Sequence, residues 1–179
     1  MSITEQQQTA IPTGTWTADV VHSSVSFEVL YMGVASFTGA VKDFDATLDG
    51  GRLSGAARIA TLETKDENLD AHLQSPEFFD AERFPQVTFA TASAKAEGAR
   101  VELDGEITIK GVTRPATLTG TIVGPVADPY GNERYGLNLL TTIDRTEFGI
   151  VWNAPMPDGS SALADEVTLK ADLSLVKAA

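Results

Sequence analysis

The sequence predicts an all-β domain of antiparallel strands, a barrel or a sandwich, interrupted by one short helical insertion. Three observations lead to this fold class. Apolar and polar residues alternate through most of the chain, turn-forming residues separate the alternating segments, and only the stretch from residue 64 to residue 84 departs from the pattern. Many short strands at regular spacing are typical of β-barrels and β-sandwiches.

The alternation has a period of two, which places successive side chains on opposite faces of a strand. Between Val21 and Tyr31 the odd-numbered side chains are largely apolar and the even-numbered ones largely polar. The same pattern recurs over residues 101–109, 116–122, 137–143 and 167–175. Turn-forming residues lie between the segments, at Asp49-Gly50-Gly51, Glu97-Gly98, Lys110-Gly111 and Asp128-Pro129-Tyr130-Gly131.

The helical insertion, about residues 64–80, begins at Thr64, which with Glu67 has the spacing of a capping box. A helix is predicted from about residue 65 to residue 74, and Ser75-Pro76 predicts a further helical turn. An aromatic cluster, Phe78, Phe79 and Phe84, ends the stretch. The cluster either packs the helix onto the strands or forms a lid over a barrel mouth, where ligand pockets tend to lie.

Length and composition indicate one soluble, folded domain. The chain has 179 residues, 42% of them hydrophobic and 21% charged. Residues 1–14 are predicted to be a flexible tail and residues 15–179 the single domain. The net charge of -12 repels phosphate backbones, so nucleic acid is not an expected partner. Because no apolar stretch approaches the roughly 20 residues that cross a bilayer, no stable membrane insertion is expected.

The residue types present limit the possible chemistry. Cysteine is absent, which excludes disulfides, thiol catalysis and thiolate metal sites. Only two histidines occur, His22 and His72, so no metal site is expected. The N-terminal residues have neither a basic start nor the apolar run of a secretory signal, which predicts a cytoplasmic location.

Several specific motifs follow one another along the chain. The longest is Asp-Ala-His-Leu-Gln-Ser-Pro-Glu-Phe-Phe-Asp at residues 70–80, continued by Arg83-Phe84-Pro85 and Thr88-Phe89. Shorter ones lie at residues 32–34, 107–115, 128–131 and 144–150. In these motifs the chain resembles the YceI-like family of lipocalin-like, polyisoprenoid-binding proteins, from Trp16 to Leu175.

The resemblance implies an extended antiparallel lipocalin-like β-barrel, with the helix packed at its mouth and an apolar tunnel inside. The tunnel would bind, store or transport an isoprenoid quinone, a polyprenyl or a fatty-acyl lipid, with no further cofactor required. Several relatives form dimers, so a homodimer is possible. The side chains expected to line the tunnel are Val25, Phe27, Val29, Tyr31, Met32, Phe37, Phe78, Phe79, Phe84, Phe89, Phe148, Ile150 and Trp152. The expected contacts to a polar head are His22, Asp70, His72 and Arg145.

The composition of the predicted inner face is consistent with a partly open interior. A barrel of about eight strands has room for one small ligand when its inward side chains are not all bulky. The inward positions mix the bulky Phe27, Tyr31 and Leu103 with the small Ser23, Gly39, Ala57 and Ala116. Tyr31 stands where relatives often carry histidine, and its hydroxyl offers a hydrogen-bond donor in place of an imidazole.

An enzyme is the alternative, acting on a small apolar substrate with His22, Asp70 and His72 brought together by folding. Asp19 and His22 are three residues apart, a spacing that puts side chains on opposite faces of a strand, and Asp70 and His72 are two apart, a spacing that diverges on a helix. No phosphate loop, nucleophile elbow or dinucleotide fingerprint is present. Arg145, beside Asp144 and Glu147, is either a salt-bridged structural residue or a head contact. The sequence therefore predicts binding, with no catalytic residue assigned.

Overall fold

Eleven strands, one α-helix and three short 3-10 turns make up the regular structure of residues 11–178, the part of the chain that the computed structural model describes. The strands are β1 (Thr15–Ala18), β2 (Ser24–Tyr31), β3 (Ala35–Val41), β4 (Phe44–Asp49), β5 (Arg52–Arg58), β6 (Leu62–Glu63), β7 (Gln86–Glu97), β8 (Arg100–Ile109), β9 (Val112–Ala127), β10 (Glu133–Asp144) and β11 (Leu163–Lys177). The helix α1 spans Glu67–Gln74, and the 3-10 turns span Val20–His22, Ile59–Thr61 and Arg145–Phe148.

Eight of the strands form a closed ring. Their order is β1, β4, β5, β7, β8, β9, β10 and β11, and β11 pairs back onto β1. Every neighbouring pair in the ring is antiparallel. The predicted antiparallel β-barrel with one short helical insertion is confirmed, and the sandwich alternative is wrong.

The other three strands, β2, β3 and β6, extend the ring at one end. β2 pairs with β11 and β3, and β3 pairs with β6. Three long strands are therefore bent into two parts each: β1 continues into β2, β3 into β4, and β5 into β6. The parts join at Val20–His22, between Val41 and Phe44, and at Ile59–Thr61. Past β6 the chain turns into α1, which covers this end of the barrel. We call it the helix end, and the opposite end the far end.

Alternating side chains fill the inside of the barrel as the period-two pattern predicts. Phe27 and Val29 are each 6% exposed, whereas Val21 is 81% exposed and Tyr31 44%. The prediction is wrong at both termini of its first segment because Val21 lies in a 3-10 turn and Tyr31 lies at the rim. The far end is closed by large buried side chains, Trp16, Leu48, Leu103, Leu137 and Leu175.

The helix begins differently from the prediction. Its N-cap is Asp66, whose carboxylate accepts hydrogen bonds from the backbone N–H groups of Asn68 and Leu69. Thr64 instead donates its hydroxyl and its backbone N–H to the carboxylate of Asp70. The capping box was therefore wrong by two residues, because an aspartate nearer to the first turn takes the free N–H groups. The predicted helical turn after Ser75 is a series of tight turns.

The chain before β1 is only partly described. Residues 1–10 of the predicted tail lie outside the described residues. Pro12 is buried, and the indole Nε1 of Trp16 donates a hydrogen bond of 2.9 Å to the carbonyl of Thr13. Among residues 11–178, no helix has the length and apolar composition needed to span a membrane.

The ladder between β9 and β10 covers only part of their length. Their pairing runs from Ala127 and Glu133 to Thr119 and Leu140. Beyond that point β9 pairs only with β8, and β10 only with β11, within the described part of the chain. We call the unpaired stretch, residues 112–118 of β9 and 141–144 of β10, the seam. It lies at the helix end of the barrel.

Near the far end, Arg134 joins two carboxylates. Its Nη1 donates to Asp19 at 2.9 Å and its Nε to Asp128 at 2.8 Å. A hydrogen bond with His22 and then the one from Arg134 lower the pKa of Asp19 from 3.8 to about 2. The Arg134 contact, followed by backbone N–H donors, lowers the pKa of Asp128 to about 2. The network ties the β9–β10 turn to the bend between β1 and β2, where Asp19 lies.

Replacing Arg134 with methionine should make the free energy of unfolding depend less on pH in the acidic range. A carboxylate with a lowered folded-state pKa contributes stability above its unfolded pKa, near 3.8, and loses it as the pH falls toward about 2. The urea midpoint of R134M should fall well below that of the wild type at pH 7, and the gap should narrow at pH 2.5. K177M, which breaks the exposed Lys177–Glu133 pair, is the control. An equal R134M gap at both pH values would contradict the argument.

Candidate functional site

The middle of the barrel contains an apolar cavity of about 150 Å³, which we call the central cavity. Its walls come from both sides of the barrel and include Val25, Phe27, Phe44, Phe79, Phe89 and Leu139. The lining is almost wholly apolar. A cavity of roughly 150 Å³ lined by Leu, Ile and Phe stays dry and accepts benzene, so this one suits a hydrocarbon group of similar size.

A second cavity of about 40 Å³ lies beneath α1, and we call it the rim cavity. Side chains from α1, the following turns and five strands line it, among them Val29, Phe37, Leu73, Phe78, Ile150 and Arg145. One water needs roughly 10–15 Å³ on this measure, so the rim cavity has room for a group of a few heavy atoms. One of its lining residues is Arg145, whose charged side chain is 4% exposed.

One layer of side chains separates the two cavities. Phe27, Phe79, Ile109 and Leu169 border both, and we call these four residues the partition. The rings of Phe27 and Phe79 lie 6.1 Å apart, and Phe37 packs edge-on to Phe27 at 6.3 Å. The cavities are therefore arranged in series, with two aromatic rings between them.

The position of the Phe27 ring explains why a small inward residue does not always leave open space inside the barrel. A Cβ added at Gly39 would overlap the ring of Phe27, so this glycine is filled by its neighbour and contributes no open lumen. Ala116 packs against the core as predicted for an inward residue, but it borders a cleft between β9 and β10 and neither of the two inner cavities. Ala57 does line the central cavity.

Arg145 lies in the 3-10 turn after β10 and is held by backbone carbonyls. Its Nε donates to Ala164, and its Nη1 donates to Ile150 and Trp152, each at 2.9 Å. Asp165, its nearest carboxylate, is 3.7 Å away and exposed, so the predicted salt bridges to Asp144 and Glu147 are not formed.

The guanidinium is buried with one nitrogen unmatched. The side chain is 4% exposed, and burial lowers the pKa of Arg145. Its Nη2 makes no hydrogen bond to any of residues 11–178. A buried donor without an acceptor costs about 1–3 kcal/mol, more for a charged group. An acceptor oxygen in the rim cavity, which Arg145 borders, would remove this cost.

Eight of the thirteen apolar residues proposed from the sequence border a cavity. They are Val25, Phe27, Val29, Phe37, Phe78, Phe79, Phe89 and Ile150. Five others do not. Tyr31 and Met32 lie exposed at the rim, Phe84 packs on Gly111, Phe148 borders the outer cleft, and Trp152 packs against His72.

Other cavity-lining residues were not singled out in the sequence. Phe44, Leu53, Leu139 and Leu169 line the central cavity. Leu139 and Leu169 lie in segments whose period-two alternation was recognised, so that signal could have placed them among the lining residues.

Folding does not bring His22, Asp70 and His72 into one site. The Nδ1 of His22 donates to the carboxylate of Asp19 at 2.7 Å in an exposed turn. The 3-10 geometry of this turn brings residues three apart together, contrary to the expectation for a strand. Asp70 bonds to Thr64. His72 pairs with Glu77 and stacks edge-on against Phe78 and Trp152. No hydrogen bond or ion pair among the described residues joins any two of the three.

Comparison with known protein families gives one clear match. The sequence model described as "YceI-like domain" matches residues 16–175. Protein YceI of Salmonella arizonae is 32% identical over 136 residues, which cover 72% of this chain and 71% of that protein. The same identity and coverage hold for Protein YceI of Salmonella enteritidis.

Solved structures share the fold. YceI protein of Campylobacter jejuni has a TM-score of 0.71 and 25% identity over 82% of this chain and 88% of its own. BcnA of Burkholderia cenocepacia has a TM-score of 0.70 at 22% identity, covering 90% and 99% of the two chains. A polyisoprenoid binding domain from Saccharophagus degradans has a TM-score of 0.70 at 10% identity, covering 91% and 98%.

Proposed function

This chain belongs to the YceI-like domain family, and from that premise we propose that it binds, stores or transports a long apolar ligand inside its barrel. An isoprenoid quinone, a polyprenyl lipid or a fatty-acyl lipid has the required shape. The observation that carries the proposal is the pair of cavities in series, one with an almost wholly apolar lining and one bordered by the buried Arg145. A hydrocarbon chain would lie in the first and its polar end in the second.

Burial of a hydrocarbon chain in the barrel supplies enough free energy to bind a lipid without a strong polar contact. Each buried CH₂ contributes roughly 0.8 kcal/mol, so ten carbons give about 8 kcal/mol before the costs of ordering the ligand. The central cavity holds only a benzene-sized part of such a chain, because the partition blocks its continuation. Binding of a longer ligand therefore requires Phe79 to move. It lies in the turns after α1 and is only half-buried.

We propose Arg145 as the residue that binds the polar head. Arg145 borders the rim cavity, and its Nη2 makes no hydrogen bond within residues 11–178 although the exposed carboxylate of Asp165 lies 3.7 Å from it. A carbonyl or carboxylate oxygen that reached this nitrogen would supply the missing acceptor. His22 is separated from this cavity, and Asp70 and His72 do not line it. Binding by this route requires no cofactor or metal. A homodimer and a cytoplasmic location stay predictions.

Catalysis is the weaker proposal because no observation favours it. The three residues of the enzyme alternative have separate partners. Among residues 11–178, no group of three or more His, Cys, Asp or Glu side chains is arranged to hold a metal ion. The groups that border the cavities are nearly all apolar and lack a nucleophile next to a base.

The proposed function predicts that the purified protein carries lipid. Protein purified from its native host and extracted with organic solvent should yield a long-chain lipid at close to one molecule per chain, measured by mass spectrometry. Protein stripped of lipid should then bind cis-parinaric acid with saturable fluorescence. Absence of both extractable lipid and saturable binding would contradict the proposal.

Removing the Phe79 ring should join the two cavities. F79A is expected to raise the affinity for branched geranylgeraniol relative to straight-chain hexadecanol by roughly three- to tenfold, because the branched chain gains most from a wider partition. F84A is the matched control, since Phe84 is also half-buried but borders neither cavity. Circular dichroism melting would show that both variants fold. An unchanged affinity ratio in F79A would show that the partition does not limit the ligand.

A fatty acid bound with its carboxylate beside Arg145 should titrate at lower pH than the free acid in water. A neighbouring guanidinium favours the charged carboxylate and so lowers its pKa. The ¹³C chemical shift of [1-¹³C]palmitate bound to the wild-type protein, followed against pH, measures this directly. Palmitate should also bind about tenfold more tightly than hexadecanol. Equal affinities together with a carboxylate that titrates as in water would contradict the role of Arg145.

A further inference from the structure

We propose that the ligand enters and leaves the barrel sideways, through the seam between β9 and β10, rather than by displacement of α1. The inference rests on the proposed function, because it assigns the route to a ligand in the central cavity. The seam is a stretch of the closed ring in which neighbouring strands share no ladder among the described residues.

A cleft of about 480 Å³ lies on the outside of the barrel along the seam. Ala116 and Thr117 border it from β9, and Thr141, Thr142 and Ile143 border it from β10. Thr141 also lines the central cavity, and Ile143 also lines the rim cavity. A single layer of side chains therefore separates the outer cleft from both inner cavities.

The side chains at the seam are suited to a wall that opens. Ala116, Thr117 and Thr141 are small, so little volume has to move to make a passage. The hydroxyl of Thr117 donates to Asp104 of β8 at 2.6 Å, a contact that separation of β9 from β10 leaves intact, and the hydroxyl of Thr141 can bond to water, whereas large apolar side chains would be exposed at a cost. Pro115 has no N–H and so removes one of the bonds that could close the gap.

Displacement of α1 would cost more. Leu73 of α1 and Phe78 of the following turns are 3% and 5% exposed, and lifting α1 with these turns would expose both to water. It would also break the hydrogen bond from Lys110 Nζ to the carbonyl of Pro76, 2.7 Å, and the one from Nε2 of Gln74 to the carbonyl of Ala60, 3.3 Å. Widening the seam breaks no strand pairing within residues 11–178.

The far end gives no easier route. Trp16 and Leu175 are 3% and 0% exposed and close this end together with the β1–β11 pairing. The ring of Trp16 also packs edge-on against Tyr135 at 4.8 Å. Opening this end would break the ladder that closes the barrel, so the seam is the route that costs least.

A cross-link across the seam tests the route. The chain contains no cysteine, so the double variant T117C/T142C carries the only two thiols, both at exposed positions on the two walls. A short bismaleimide would bridge them without requiring strand contact. The bridged protein should exchange bound cis-parinaric acid for competing palmitate at least tenfold more slowly in stopped-flow fluorescence, while its equilibrium affinity changes less than twofold.

Two matched cross-links serve as controls. T121C/N138C bridges the same strands where the ladder is intact, since Thr121 and Asn138 are direct partners. A60C/Q74C fixes α1 to the 3-10 turn Ile59–Thr61, whose Ala60 carbonyl the Gln74 side chain already contacts. Neither bridge should slow exchange more than twofold. Slow exchange in A60C/Q74C with normal exchange in T117C/T142C would overturn the seam route in favour of α1.

The outcomes separate this inference from the proposed function. If the bridged seam variant binds cis-parinaric acid and exchanges it as fast as the unbridged protein, the seam route is wrong and the binding function stands. If no form of the protein binds the probe, the proposed function itself fails.

Discussion

Closure of the strand ring through β11 is the constraint on which the rest of the structure depends. β11 pairs along its length with β10 on one side, and with β2 and then β1 on the other. This double pairing leaves no free sheet edge at the join and removes the inward side chains from water. Every cavity, and the burial of Arg145, exists only because this join encloses them.

A closed barrel that binds a ligand must also let the ligand pass. Large, well-packed side chains such as Trp16 and Leu175 close the far end, and alanine and threonine side chains form part of the wall along the seam. Aromatic residues occupy the partition between the two cavities. The far end of the sheet thus provides the rigid packing, and the seam provides the proposed passage for the ligand.

The sequence predicted the parts of the fold that follow from local chemistry. Period-two alternation located the buried face of β2 through Phe27 and Val29, and the one exception to the alternation located α1. It failed where tertiary packing decides. Nothing local to Gly39 indicates that the ring of Phe27 fills its space, and nothing local to Arg145 indicates that carbonyls of Ile150 and Trp152 replace its neighbouring carboxylates.

The bent strands also divide the barrel into two regions of different cohesion. The long ladders β7–β8 and β10–β11 continue from the far end to the helix end, whereas β3 meets β6, at the helix end, at only Ala40–Glu63 and Val41–Leu62. Regions joined by few backbone bonds open locally at a lower free energy than the whole domain unfolds. Substitutions around the rim cavity, which would alter the head group that binds there, can therefore occur while the longer ladders keep the protein folded.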